Sequence, residues 1–248
     1  MESLLTLPLA GEARVRILQI TDTHLFAEKH ETLLGVNTWE SYQAVLEAIR
    51  AQQYEYDLIV ATGDLAQDQS AAAYQHFAEG IASFRAPRVL IGEQWQILLL
   101  DSQVFGVPHG ELSEFQLEWL ERKLADAPER QTLLLLHHHP LPAGCSWLDQ
   151  HSLRNAGELD SVLANFPRVK YLLCGHIHQE LDLDWNGRRL LASPSTCVQF
   201  KPHCANFTLD TIAPGWRTLE LQANGVLETE VHRLQDTRFR PDTASEGY

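Results

Sequence analysis

A chain of 248 residues can bury one large core, and its hydrophobic (44%) and charged (21%) fractions are those of an ordinary soluble domain. A formal net charge of −14, with acids spread along the sequence, argues against a groove for polymeric DNA or RNA. It stays compatible with a small anionic substrate, because bound cations reverse the sign locally. No segment approaches a membrane span, and no basic region precedes the short apolar patch near the N-terminus. Cys145, Cys174, Cys197 and Cys204 show no disulfide-framework spacing. The expectation is a cytoplasmic protein with free thiols, no membrane contact and no nucleic-acid partner.

Residues 1–14 read as a mobile arm. The run Arg16-Ile-Leu-Gln-Ile-Thr21 reads as a buried strand, followed by Asp22 and His24 two apart, a spacing that points both side chains the same way on extended backbone. Residues 25–36 read as a loop. Asn37, three before Glu40, opens a helix carried by Tyr42, Val45, Leu46 and Ile49. The strand from Asp57 to Thr62 ends in Gly63-Asp64, which completes a βαβ unit and predicts a parallel sheet. Ser70 opens a second helix with Tyr74, Phe77, Ile81 and Phe84 on one face.

Pro87 then leads abruptly into Val89-Leu-Ile91, which reads as a hairpin-like partner of Trp95–Leu100. Ser113 and Gln116 cap a third helix carried by Leu117, Leu120 and Leu124. The strand 131–136 ends in His137-His138-His139-Pro140. Residues 156–166 form a fourth helix, and the strand 169–173 ends in Cys174-Gly-His176-Ile-His178. Asn186-Gly187 and Asn224-Gly225 mark hairpins. The polar tail after Asp236 reads as loose, and one domain spans 1–248.

Four apolar strands thus end in potential ligands: Asp22 and His24; Asp64; His137; His176 and His178. At the carboxyl edge of an open α/β sheet such ends converge. Mixed carboxylate and imidazole donors suit Fe, Mn or Zn better than Ca or Mg. Six groups exceed one tetrahedral site. A pair of ions roughly 3.5–4 Å apart is a common device for phosphoester hydrolysis.

Asp22-x-His24, Gly63-Asp64, His137 and Gly175-His176-x-His178 resemble the signature blocks of the calcineurin-like metallophosphoesterases. The run His137-His-His-Pro-Leu-Pro and the segment Ser195-Thr-Cys-Val-Gln-Phe200 are similar to its class III cyclic-nucleotide phosphodiesterase branch, the bacterial 3',5'-cyclic AMP phosphodiesterases. The resemblance runs from Arg14 to the C-terminus. It implies an α/β fold, a metallophosphoesterase-type βαβ sandwich of two mixed sheets flanked by helices. It implies hydrolysis of cyclic AMP by water activated at two metal ions, Fe and/or Mn. By that resemblance Asp22, His24 and His178 bind one ion, His137 and His176 the other, and Asp64 bridges. His24, Asp64 and His178 also lie against the cyclic nucleotide, a small-molecule substrate. The sequence leaves His138 and His139 open as alternatives to His137. Phe200-Lys-Pro-His203 is read as a border of the nucleotide pocket, and His203 and Cys204 near Cys197 as coincidence rather than a zinc site.

The family's Gly-Asn-His block is absent. It belongs at the join 86–89, so one strand is missing, and with it an Asn ligand and a general-acid His. No catalytic residue is therefore assigned. Three readings stay open at that join: a deletion that cripples the site; weak activity sustained by the first ion and a substitute donor such as His138, His139 or His109; or a sequence lacking residues that the protein carries. Two alternatives to cyclic AMP hydrolysis follow, another phosphoester substrate or a non-catalytic remnant.

Overall fold

Apolar residues on alternating positions of residues 14–20 put Val15 and Ile17 on one side and Leu18 and Ile20 on the other, all within 1% of full burial. A strand buried on both faces needs a layer on each side. The computed structural model, which describes residues 14–82, 84, 94–245 and 247, supplies both.

In chain order the elements are β1 (Arg14–Ile20), β2 (Thr32–Leu33), β3 (Val36–Asn37), α1 (Thr38–Ala51), β4 (Leu58–Ala61) and α2 (Ala71–Ile81). Next come β5 (Trp95–Leu99), α3 (Glu114–Asp126), β6 (Gln131–Leu135), a short 3₁₀ turn, α4 (Ala156–Leu163) and β7 (Val169–Cys174). The remainder is β8 (Leu181–Trp185), β9 (Arg188–Ala192), β10 (Gln199–Phe200), β11 (Leu209–Asp210), β12 (Gly215–Gln222) and β13 (Leu227–Arg233). One main sheet has the order β13-β12-β1-β4, the other β5-β6-β7-β9-β8. β1 runs parallel to β4 and antiparallel to β12, and β5, β6, β7 and β9 are mutually parallel with β8 antiparallel at the edge, so both sheets are mixed.

One apolar cluster takes Val15, Ile17, Val60, Leu219 and Leu227 from the first sheet and Trp95, Leu133, Leu173 and Leu191 from the second, with no helical residue. It is the sandwich interior. The larger cluster unites the other faces of the strands with the helices. At the end of the interior where β1 and β4 finish, the filling turns polar. Gln19, fully buried, donates to Thr62 Oγ1 and to the Cys174 carbonyl and accepts from Ser193, tying the two sheets together. Arg217 closes the same layer on Ser193 and the Ala192 carbonyl.

The βαβ unit and all three side-chain caps form as expected: Asn37 accepts from Glu40 N, Ser70 from Ala73 N and Ser113 from Gln116 N. Several details differ. The liganding strand ends belong to two facing sheets, not to one open sheet. Gln116 does not close a capping box; its amide brackets the backbone of Asp101. α4 stops at Leu163, and residues 25–36 contain the small β2–β3 hairpin. Tyr74 faces outward, 52% exposed. The tail is docked: Phe239 is buried and Asp242 N donates to the Leu34 carbonyl at 2.7 Å. The arm 1–13 and the join 85–93, with its expected Val89–Ile91 strand, lie outside the described residues. β5 pairs in parallel with β6. The four cysteines are unpaired, and no described helix is long and apolar enough to cross a membrane.

Candidate metal centre

Each strand end in question turns sharply once its last ladder bond is made. Asp22, His24, Asp64, His176 and His178 all have left-handed backbone, with φ between 46° and 68°. Asp and His tolerate that region better than most side chains, but it still costs roughly 1–2 kcal/mol per residue. Five such residues on one rim mark a functional site. Gly63 and Gly175 make the close approach possible. A Cβ on Gly63 (φ 125°) would lie 2.2 Å from His137 Nδ1, and one on Gly175 would lie 2.7 Å from Asp22 Oδ2.

The six predicted groups meet. Asp22, His24 and His178 each bring a ligand atom within 4.8 Å of the other two; so do Asp22, Asp64 and His137. A third group joins His137 and His176 to His138, so the structure retains all six and adds one. His138, which the sequence leaves open as an alternative to His137, joins it rather than replaces it, although neighbours on a strand face opposite ways. β6 ends at Leu135, before the histidines, and that alternation no longer holds.

Hydrogen bonds fix which nitrogen each imidazole presents. His178 Nδ1 donates to the Val198 carbonyl at 2.9 Å, His137 Nδ1 to the Thr62 carbonyl at 2.8 Å and His24 Nδ1 to Gln67 Oε1 at 2.6 Å. Nε2 of each ring is then the nitrogen turned toward the other candidate ligands. His24 Nε2 and His178 Nε2 face each other at 3.2 Å, with Asp22 Oδ1 3.3 Å from the latter. Three electron-rich atoms around one point repel unless a cation lies among them. His176 Nε2 is likewise buried with no hydrogen-bond partner. This donor set fits a metal centre, in which the groups that come together are Asp22, His24 and His178; Asp22, Asp64 and His137; and His137, His138 and His176.

The electrostatics agree. Burial alone would raise the Asp22 carboxyl, but His178 and His137 outweigh it and hold it below its ordinary range; Asp64 is depressed the same way by His137. His24 is pushed down by burial and by His178, and His176 well down by burial and its histidine neighbours, so both stay neutral, as ligands must. His138 falls to about 3 and His139 to about 4, mainly through burial. His137 alone moves up, to about 9: burial opposes protonation, but the Asp64 carboxylate 3.4 Å away prevails. An ion there displaces one proton.

His139 does not join the centre. It is fully buried against Asp149 at 3.6 Å. Phe200 stacks on the His178 ring at 4.3 Å and 8°, and with Trp147 and Phe207 it walls a cavity of about 850 Å³ onto which His24, Asp64, His137, His138 and His176 open. His203 and Cys204 join no metal-capable group among the described residues.

The family model described as calcineurin-like phosphoesterase matches residues 15–91 and 86–180, two stretches that overlap across residues 86–91 at the join. The chain is 83% identical, over the full length of both chains, to the 3',5'-cyclic adenosine monophosphate phosphodiesterase CpdA of Escherichia coli K12. That alignment spans 275 positions against 248 residues, so at least 27 positions face no residue of this chain. The Haemophilus influenzae protein of the same description is 48% identical, over 94% of this chain and 95% of its own. Among solved structures, a dimetal phosphatase from Danio rerio aligns with 88% of this chain and 98% of its own at a TM-score of 0.57 and 12% identity, a likeness of fold.

Proposed function

The chain belongs to the calcineurin-like phosphoesterases, and we propose that it opens 3',5'-cyclic AMP to 5'-AMP at a centre of two metal ions. The facing Nε2 atoms of His24 and His178 beside Asp22 carry this reading, together with the activity named for relatives 83% and 48% identical. Asp22, His24 and His178 would hold one ion and His137 and His176 the other, with Asp64 available to both. Carboxylate with imidazole suits Fe, Mn or Zn, and of these the family resemblance implies iron or manganese. When bound, such ions acidify water and neutralise charge on a phosphoryl group.

The chain's own residues do the rest. Gln67 and the Thr62 and Val198 carbonyls lock three imidazoles in the tautomer that presents Nε2. Asp22 and Asp64 stay ionised through the neutral range. Asp64, 46% exposed at its side chain, and His24 open onto the cavity and would border the phosphate, with the buried His178 behind them. The aromatic wall of Trp147, Phe200 and Phe207 offers the purine an apolar face. Free thiols on all four cysteines favour the cytoplasm.

The test is cyclic AMP hydrolysis by purified protein with added Mn or Fe, beside an Asp64→Ala control. Activity in the parent and its loss in the variant are expected; equal rates, or none in either, sink the proposal. A phosphoester panel decides the substrate. A second reading, an impaired or non-catalytic remnant, is favoured by the absent Gly-Asn-His block. The 27 unmatched positions and the divided family match support a lost segment near residues 86–91. One metal ion per chain or none, with no turnover, would support the remnant.

A further inference from the structure

Three sets of donors come together at the rim: Asp22, His24 and His178; Asp22, Asp64 and His137; and His137, His138 and His176. The third set holds two of the expected ligands of the second ion, with His138 beside them. A borderline transition ion bound by imidazole and carboxylate takes at least four donors, of which a catalytic site commonly supplies three and leaves a position for water or substrate.

His138 stands at the second ion's end of the rim. One of its ring nitrogens lies within 4.8 Å of a ring nitrogen on both His137 and His176. Its ring centroid is 4.8 Å from that of His137 and 4.7 Å from that of His176. Packing three imidazoles with their nitrogens together is costly for apolar purposes, and His176 Nε2 has no other partner. The His138 ring is also held in place. Ser102 Oγ lies 2.8 Å from Nδ1 and accepts from the His138 backbone N–H at 3.3 Å; the Pro108 carbonyl is a further acceptor for the ring. Gly110 makes room for it, since a Cβ there would sit 2.4 Å from Nδ1. An outer hydrogen bond that fixes the orientation of one imidazole is what metal-ligating histidines commonly carry.

Resting on the two-ion reading above, we propose that His138 is a ligand of the second ion, forming a three-histidine end with His137 and His176, and that Ser102 positions it. Metal-stripped protein is titrated with Mn²⁺ by equilibrium dialysis, with electron paramagnetic resonance to report coupling between neighbouring ions. The parent chain takes up two ions and gives a coupled signal. His138→Ala takes up one, with the first affinity unchanged and the coupling lost. Ser102→Ala takes up two, the second about 10–100-fold more weakly. Two ions bound by His138→Ala at the parent affinities overturn the proposal and leave the two-ion reading standing. One ion or none in the parent overturns both. Circular dichroism checks each fold; if His138→Ala does not fold, Ser102→Ala decides, and an unchanged second affinity there overturns the proposal.

Discussion

Asp22 and His178 have no exposed side-chain surface and His24 is 3% exposed, whereas Asp64, beside His137, leaves 46% of its side chain open. The first end is framed by the Val198 carbonyl, by Gln67 in the loop after β4 and by the stacked Phe200 ring of β10. The second end borders β4, which has no strand partner on its outer side among the described residues. One half of the centre is therefore preorganised by the core, and the other depends on rim residues that the core holds less tightly. Ion affinity should follow the same order.

Asp22→Ala gives the largest effect. The carboxylate belongs to two of the three ligand groups and accepts from His176 N at 3.1 Å. Its loss should empty the first end and drop cyclic AMP turnover by more than the roughly 10²–10⁴ typical of losing a general acid, in steady-state assays. Survival of first-end binding would erase the contrast between the halves. Gly63→Ala comes next: positive φ and collision with the His137 ring should cost on the order of 3 kcal/mol in urea unfolding. A neutral result would mean that the rim relaxes freely. Gln67→Leu removes the acceptor for His24 Nδ1 and should weaken the first ion about 10–100-fold with the second unchanged. Equal weakening of both would show that the ends are not separable. Asn37→Ala, remote from the centre, should cost about 1 kcal/mol of stability through the α1 cap and leave both metal affinities alone.

Strand ends and helix caps were legible because they are local: Asn37, Ser70 and Ser113 act within three residues, and Asp22, Asp64, His137 and His176 each follow an apolar run. Sheet membership was not, since periodicity identifies a strand without saying which neighbour its edge bonds. The left-handed backbone at five of the candidate ligands left no glycine signature, because Asp and His occupy it directly. His138 was legible only as an alternative to His137; that the two rings lie together follows from β6 ending at Leu135, beyond which strand alternation stops applying. The docking of the tail was hidden by composition: Phe239 and Pro241 are buried within an otherwise polar segment.

A crystal of the protein grown with Mn²⁺ and measured across the manganese absorption edge gives the most direct test. Two anomalous peaks about 3.5–4 Å apart, one enclosed by Asp22, His24 and His178 and the other by His137 and His176, are the expected result. A map with no peak at this rim, or with manganese only elsewhere on the surface, would contradict it.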